Sequence, residues 1–310
     1  MFVIEPDPYL TPSYRISPFQ TAAIQRNAHM PPNCADFAVN YLNQRFGPNK
    51  WRITSNGRAA IDYALRQFKL IKEQQVGIFT TSGNSYISSC VTQSIEKFAN
   101  WTMNSVHNAA LLFVNHEFGY IYPAMADLKK IGLPIIEDCC TTFFSQDEEK
   151  NVGKEGNYSI YSFPKFFNIQ IGGLVVSQQE FEGNEQFIGE GMNKDIAAYI
   201  LRVLGFELNN ERELLFKRKE NFNYAVQCFG ALGFEPRFET SQNEVPSVLM
   251  LKNTSIIKDL NLHKEWLNKH GIQNSIFYGE DAFFIPCHQN LSFTDIDFFV
   301  HVLKSLSKIK

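Results

Sequence analysis

Leu133-Pro-Ile-Ile-Glu-Asp138 is a short apolar run that ends on two acids. Apolar strands without polar alternation belong in a parallel sheet covered on both faces. Open α/β sheets bind ligands at the carboxyl ends of such strands, so Asp138 is a candidate site residue as well as a strand end. Similar runs lie at Val76 to Thr80, Ala109 to Val114, Tyr158 to Phe163 and Leu174 to Ser177. Helical spacing separates them. Ile61, Ala64, Leu65, Phe68 and Ile71 mark an amphipathic helix over Arg58 to Lys72, entered through Ser55-Asn56-Gly57. A second helix is expected from Ile87 to Phe98, and a third is bracketed by Pro123 and Gly132. This alternation predicts an α/β fold with a mostly parallel central sheet flanked by helices.

The chain's 310 residues exceed what one small core needs. The pattern divides it into an irregular Pro-rich arm (1–50), a large α/β domain (51–205) and a smaller C-terminal α+β domain (206–310). The arm rests on seven prolines, at 6, 8, 12, 18, 31, 32 and 48. The C-terminal unit rests on a charged helix near Asn209 to Cys228, a strand at Val245 to Leu251, a helix at Lys258 to His270 and a last helix from Thr294.

Several partner classes are excluded. Twenty-nine basic against 32 acidic residues argue against nucleic-acid binding. The basic cluster Lys217-Arg218-Lys219 sits among glutamates and reads as a solvated helix face. No apolar run is long enough to span a membrane, and the N-terminus lacks the basic start of a signal peptide. Six cysteines without regular spacing read as free thiols of a reducing compartment, so a cytoplasmic location is expected. His116-Glu117 has no second histidine four residues on, and no metal site is expected. The 28 phenylalanines exceed what the predicted elements bury, which suggests an apolar interface.

The chemistry is carried by single residues in a particular order. Ser55-Asn56-Gly57-Arg58-Ala59 opens a helix, whose free N–H groups and dipole suit a phosphate. Tyr86 follows the next strand and offers a flat partner. Asp138 then supplies a carboxylate, and Lys165, in Tyr161-Ser-Phe-Pro-Lys-Phe-Phe167, an amine flanked by apolar residues. An apolar wall would make that amine a nucleophile. Gly172-Gly173 permits close backbone approach. Pyridoxal phosphate needs this set: a helix start for phosphate, a ring partner, a carboxylate for the pyridine nitrogen and an amine for the aldehyde.

Residues 50–305 resemble the DegT/DnrJ/EryC1/StrS sugar aminotransferases, which have the fold type I architecture. Ile135-Ile-Glu-Asp138 is similar to the family's aspartate strand, and Ser162-Phe-Pro-Lys165 with Gly172-Gly173 to its serine, cofactor lysine and glycine pair. Gly191-Met-Asn193-Lys194 resembles a segment whose asparagine reaches the neighbouring subunit's site, and Phe284 to Asp295 resembles the C-terminal signature. The resemblance implies a pyridoxal-phosphate aminotransferase acting on a keto sugar, nucleotide-linked, with glutamate as amino donor and a homodimer sharing its sites. It implies catalytic Lys165 and Asp138, with Gly57, Arg58, Ala59, Tyr86, Thr141, Ser162 and Asn193 contacting the cofactor. Arg58 and Thr141 depart from the usual residues, and the connections near 100–108 and 178–189 are short. Two alternatives stay open: a non-catalytic cofactor- or sugar-binding regulator, and another pyridoxal-phosphate chemistry such as dehydration or lysis.

Overall fold

The apolar runs become adjacent strands in a computed structural model that describes residues 13–308. Prolines 6, 8 and 12 and the apolar N-terminus lie outside the described residues. In chain order the elements are α1 (Ala23–Ala28), α2 (Cys34–Phe46), β1 (Trp51–Thr54), α3 (Gly57–Gln67), β2 (Gln75–Thr80) and α4 (Ser89–Ile95). Next come β3 (Asn100–Met103), β4 (Ala109–Asn115), α5 (Met125–Lys130), β5 (Ile135–Asp138), β6 (Tyr158–Ser162) and β7 (Gly173–Ser177). The chain continues through α6 (Lys194–Asn209), α7 (Glu211–Gly230), β8 (Glu235–Pro236), β9 (Val248–Lys252) and α8 (Leu260–Lys269). It ends with β10 (Ser275–Ile276), β11 (Ala282–Pro286) and α9 (Phe293–Lys308).

Seven strands form the central sheet in the order β1-β7-β6-β5-β4-β2-β3. From β3 to β6 every neighbour is parallel, and β7 runs antiparallel between β6 and β1. The path from β2 to β3 moves one way along the sheet, whereas β4, β5 and β6 follow the other way. This reversal opens a crevice beyond the carboxyl ends of the strands, where ligands bind in such sheets. The C-terminal sheet, β10-β11-β9-β8, is antiparallel. Its core joins Phe229, Leu249, Leu251, Phe283, Ile285 and Phe299.

Four expectations need correction. The first fifty residues are not irregular throughout, because α1 and α2 occupy 23–28 and 34–46. Pro31 and Pro32 immediately precede the first turn of α2 and Pro48 follows its end, so its interior contains no proline. Ala38, Leu42 and Phe46, spaced four apart, bury one face of this helix in the core shared with α6. The passage into the C-terminal unit falls at Asn210, not at 205–206, since Lys194–Asn209 is one uninterrupted helix. Arg218 is not on a solvated face; it is 1% exposed. The phenylalanine surplus is absorbed within the chain, where Phe143, Phe144, Phe163, Phe166 and Phe167 pack on one another.

The crossing of α2 over α6 is set by Gly205. A Cβ built there would lie 1.8 Å from the carbonyl oxygen of Cys34. In an open helix Gly→Ala stabilises by about 1 kcal/mol; here the methyl group forces two backbones apart. Gly205→Ala is expected to destabilise the chain by about 1–3 kcal/mol, read as a lower urea midpoint. Gly230→Ala, at a helix position with nothing within 4 Å, provides the opposite-sign control.

Candidate active site

Strand alternation assigns the two acids of β5 to different faces. Glu137 is buried among donors: Gly153 N–H at 2.9 Å, Glu155 N–H at 2.7 Å, Gly156 N–H at 2.6 Å, the Ser159 hydroxyl at 3.3 Å and His116 Nε2 at 3.2 Å. His116 Nδ1 accepts the Tyr122 N–H at 3.0 Å, so Nε2 carries the proton that points at Glu137. Burial pushes Glu137 up, but His116 and the backbone donors outweigh it and hold the carboxyl below its ordinary value. His116, Glu137 and Cys139 offer ligand atoms within 4.8 Å of one another. These hydrogen bonds account for the grouping, which makes Glu137 a structural pin for the turn between β5 and β6.

Asp138 faces the other way, into a cavity of about 740 Å³ at the ends of β4, β5 and β6. Gly57, Arg58, Tyr86, Thr141, Ser162 and Lys165 line the same cavity, so six further predicted residues converge with Asp138. Asp138 Oδ1 accepts the Cys140 N–H at 3.0 Å. Burial raises its carboxyl above the ordinary value, against the pull of Cys140's N–H and thiol and of the Lys165 charge. A desolvated carboxylate with a single backbone donor would be stabilised by a positive partner such as a protonated ring nitrogen.

The opposite wall is the start of α3. Asn56 caps it, its Oδ1 accepting the Ala59 N–H at 2.9 Å. That bond corrects the expectation for Ala59, whose donor is consumed by the cap and which does not line the cavity. The N–H groups of Gly57 and Arg58 come before the first helical bond and remain for an anion. A Cβ at Gly57 would lie 3.1 Å from Cys140 Sγ and 3.1 Å from Ser162 Cβ, so this glycine brings the helix start close to the strand ends. Arg58 Nη2 donates to Cys90 Sγ at 2.9 Å. Burial raises the Cys90 thiol, but the Arg58 and Ser88 hydrogen bonds bring it below its ordinary value. These features fit pyridoxal phosphate: an anion cradle at one end and a buried carboxylate with one backbone donor at the other.

Lys165 ends the 3-10 turn Phe163–Lys165. The expected apolar wall does not surround it, because Phe163, Phe166 and Phe167 turn into the core and leave Lys165 exposed. The turn is held from behind. Gln289 Nε2 donates to the Phe166 carbonyl at 2.7 Å, and the Ser17 hydroxyl to that of Pro164 at 2.7 Å. Arg218 donates to Gln289 Oε1 and to the Pro246 carbonyl and lies 4.6 Å from the Phe166 ring centre. Thr141 donates its hydroxyl to the His116 carbonyl at 2.9 Å. Tyr86 lies among Phe118, Phe277, Tyr278 and Phe284. Asn193 is not at this cavity; it caps α6, accepting the Ile196 N–H at 2.9 Å.

Local patterns missed Phe118, Cys90, Phe284 and Glu117. Glu117 is 2% exposed, and its Oε2 accepts the Ser82 N–H at 2.6 Å. The sequence signal was an acid two residues past an apolar strand.

A family model described as the DegT/DnrJ/EryC1/StrS aminotransferase family matches residues 116–298. The chain belongs to this family. It is therefore a pyridoxal-phosphate-dependent aminotransferase, and a second family model of PLP-dependent aminotransferase type matches residues 41–190. Solved structures show the same fold type I architecture. The aminotransferase TlmJ from Streptoalloteichus hindustanus is 14% identical, with TM-score 0.73 over 96% of this chain and 100% of that one. Helicobacter pylori PseC, an aminotransferase of pseudoaminic acid biosynthesis, is 15% identical, with TM-score 0.69 over 94% and 98%. The E. coli GDP-4-keto-6-deoxy-D-mannose-3-dehydratase, with hydrated PLP bound, is 14% identical, with TM-score 0.66 over 95% and 100%. No curated protein matches the sequence. Among the described residues no helix is long and apolar enough to cross a membrane.

Burial pushes Glu117 from its ordinary value of 4.5 to about 7, assisted by Glu280 and opposed by the Ser82 donors and Arg237. Between those values the folded chain keeps a proton that the unfolded chain has lost, so Glu117 makes stability fall as pH rises. Glu117→Gln removes the titration. Its stability relative to the unsubstituted chain should rise by about 2–4 kcal/mol from pH 4.5 to above 7, measured by urea denaturation at each pH.

Proposed function

We propose that this aminotransferase transfers the amino group of glutamate to a keto sugar, nucleotide-linked, with Lys165 and Asp138 as its catalytic residues. The convergence of Asp138, Lys165 and the α3 start on one cavity is the observation that carries the reading. Bound there, pyridoxal phosphate supplies an electron sink for the substrate carbon that loses its proton. Asp138 would hold a proton on the ring nitrogen, a task suited to a buried carboxylate with one backbone donor. Lys165 Nζ would hold the cofactor and would carry the substrate proton, as base and then as acid. Its exposed place on a rigidly backed turn gives the amine freedom at the tip alone. The Gly57 and Arg58 N–H groups and the Arg58 guanidinium would bind the phosphate, and Ser162, Thr141 and Tyr86 would contact the cofactor. The free cysteines support a cytoplasmic setting.

Borohydride treatment of the holoprotein should leave the cofactor on Lys165, as read by peptide mass spectrometry. Asp138→Asn should retain the cofactor and slow nitrogen transfer from labelled glutamate to keto-sugar nucleotides by about 10²- to 10⁴-fold. An adduct on Lys154 or Lys194, or an unimpaired variant, would reject these assignments. Water loss in place of nitrogen transfer would reject the reaction.

The working unit in this reading is a homodimer in which Asn193 of each chain serves the partner's site. Its place at the tip of α6, outside its own cavity, supports that role. Mixing Lys165→Ala with Asn193→Ala subunits should restore activity toward one working site per hybrid dimer. Verified subunit exchange without recovery would make each site complete within one chain.

A further inference from the structure

Glu117 is only 2% exposed on the cavity wall, yet half of its carboxyl group is unused. Oε2 takes the Ser82 N–H, whereas Oε1 is buried without a hydrogen-bond partner among the described residues. Leaving a buried polar atom unpaired is costly. The surrounding chain nevertheless holds the group in place. The Glu117 N–H donates to the Thr81 hydroxyl at 3.0 Å, and the Ser247 N–H donates to the Phe118 carbonyl at 2.7 Å. Gly119 fits under Val245 so closely that a Cβ would lie 2.3 Å from its carbonyl oxygen. Arg237, whose charge opposes the upward shift of Glu117, is committed to Glu280. Glu117 shares the cavity with Asp138 and Lys165, and Phe118 and Phe284 supply apolar walls.

We infer that Glu117 Oε1 is a specificity-determining hydrogen-bond partner for a substrate hydroxyl close to the keto carbon. A hydroxyl suits this position better than an ammonium or a second anion. It both donates and accepts, so it satisfies Oε1 whether the carboxyl is protonated or ionised. An anion would meet a carboxylate, and an ammonium would require full ionisation in a site where burial opposes it. The apolar walls suit the C–H surface of a ring that bears such a hydroxyl. This assignment rests on the keto-sugar reading only for the kind of molecule that carries the hydroxyl.

The test uses the holoenzyme and two acceptors: a uridine-diphosphate 4-keto-6-deoxyhexose and the same compound lacking the hydroxyl beside the keto carbon. For the unsubstituted enzyme, deleting that hydroxyl should lower kcat/KM about ten- to a hundredfold. Glu117→Leu should lower kcat/KM for the complete substrate and show under twofold discrimination between the two. Glu117→Gln keeps an acceptor for the Ser82 N–H and presents an amide, so it should recover most of the discrimination. It also controls for folding. Equal discrimination in the unsubstituted, Leu and Gln enzymes would overturn the inference, since a merely structural residue does not couple to one substrate hydroxyl. If sugar nucleotides are inert and a keto cyclitol is aminated, the sugar reading falls. The same hydroxyl deletion, made on the cyclitol, then decides the case of Glu117.

Discussion

The start of α3 is pressed against the sheet without room for a methyl group. A Cβ at Gly173 would lie 2.6 Å from the Asn56 carbonyl carbon and oxygen and 2.7 Å from Thr54 Oγ1. Gly172, at φ +108°, donates its N–H to the Ser55 carbonyl at 2.7 Å. Thr54 donates its hydroxyl to the Asn56 carbonyl at 2.9 Å, and Gly57 meets Cys140 and Ser162. The helix start, β7 and the ends of β5 and β6 thereby become one rigid unit. The anion cradle, the buried carboxylate and the lysine turn keep their separation because none of their supports can slide. Positioning at this accuracy is what a cofactor with two charged ends requires.

Three acids near the ends of adjacent strands shift in two opposite directions. Glu137 is ionised because five donors replace its water. Asp138 has one backbone donor, faces the cavity and is raised by burial. Glu117, which accepts one backbone N–H and leaves Oε1 unpaired, shifts to about 7. The number of fixed donors, more than burial itself, separates Glu137 from the other two, since all are buried. Parallel strands create this spread naturally. Side chains alternate between a face where turns fold back with free N–H groups and a face that opens on the crevice.

The C-terminal unit contributes more than a lid. Arg218 is buried without a carboxylate partner and is lowered to about 10 by desolvation. Its bonds to Gln289 and Pro246, and its place over Phe166, connect α7 to the turn that presents Lys165. Gln289 completes the connection by donating to the Phe166 carbonyl. Tyr86 likewise packs against Phe277 and Phe284 of this unit. The cavity therefore depends on both units, and neither forms it alone.

Local periodicity was enough to determine the strands β2, β4, β5, β6 and β7, the helices between them and the α/β class, because burial on two faces dictates composition residue by residue. Asp138, Lys165 and the Asn56-Gly57 helix start were legible for the same reason: each belongs to a strand end or a cap with its own local pattern. The short edge strands β1 and β3 were not, since four residues, some polar, carry too little periodicity. Helix α2 was hidden by prolines that flank it without entering it. Only the tertiary structure decided that Glu117 faces the cavity, that Arg218 is buried and that the phenylalanines beside Lys165 turn away from its amine. Those outcomes depend on contacts between residues about a hundred or more positions apart, such as Ser247 with Phe118 and Gln289 with Phe166. A side chain's neighbours at that distance are set by how the elements pack, and no local spacing encodes them.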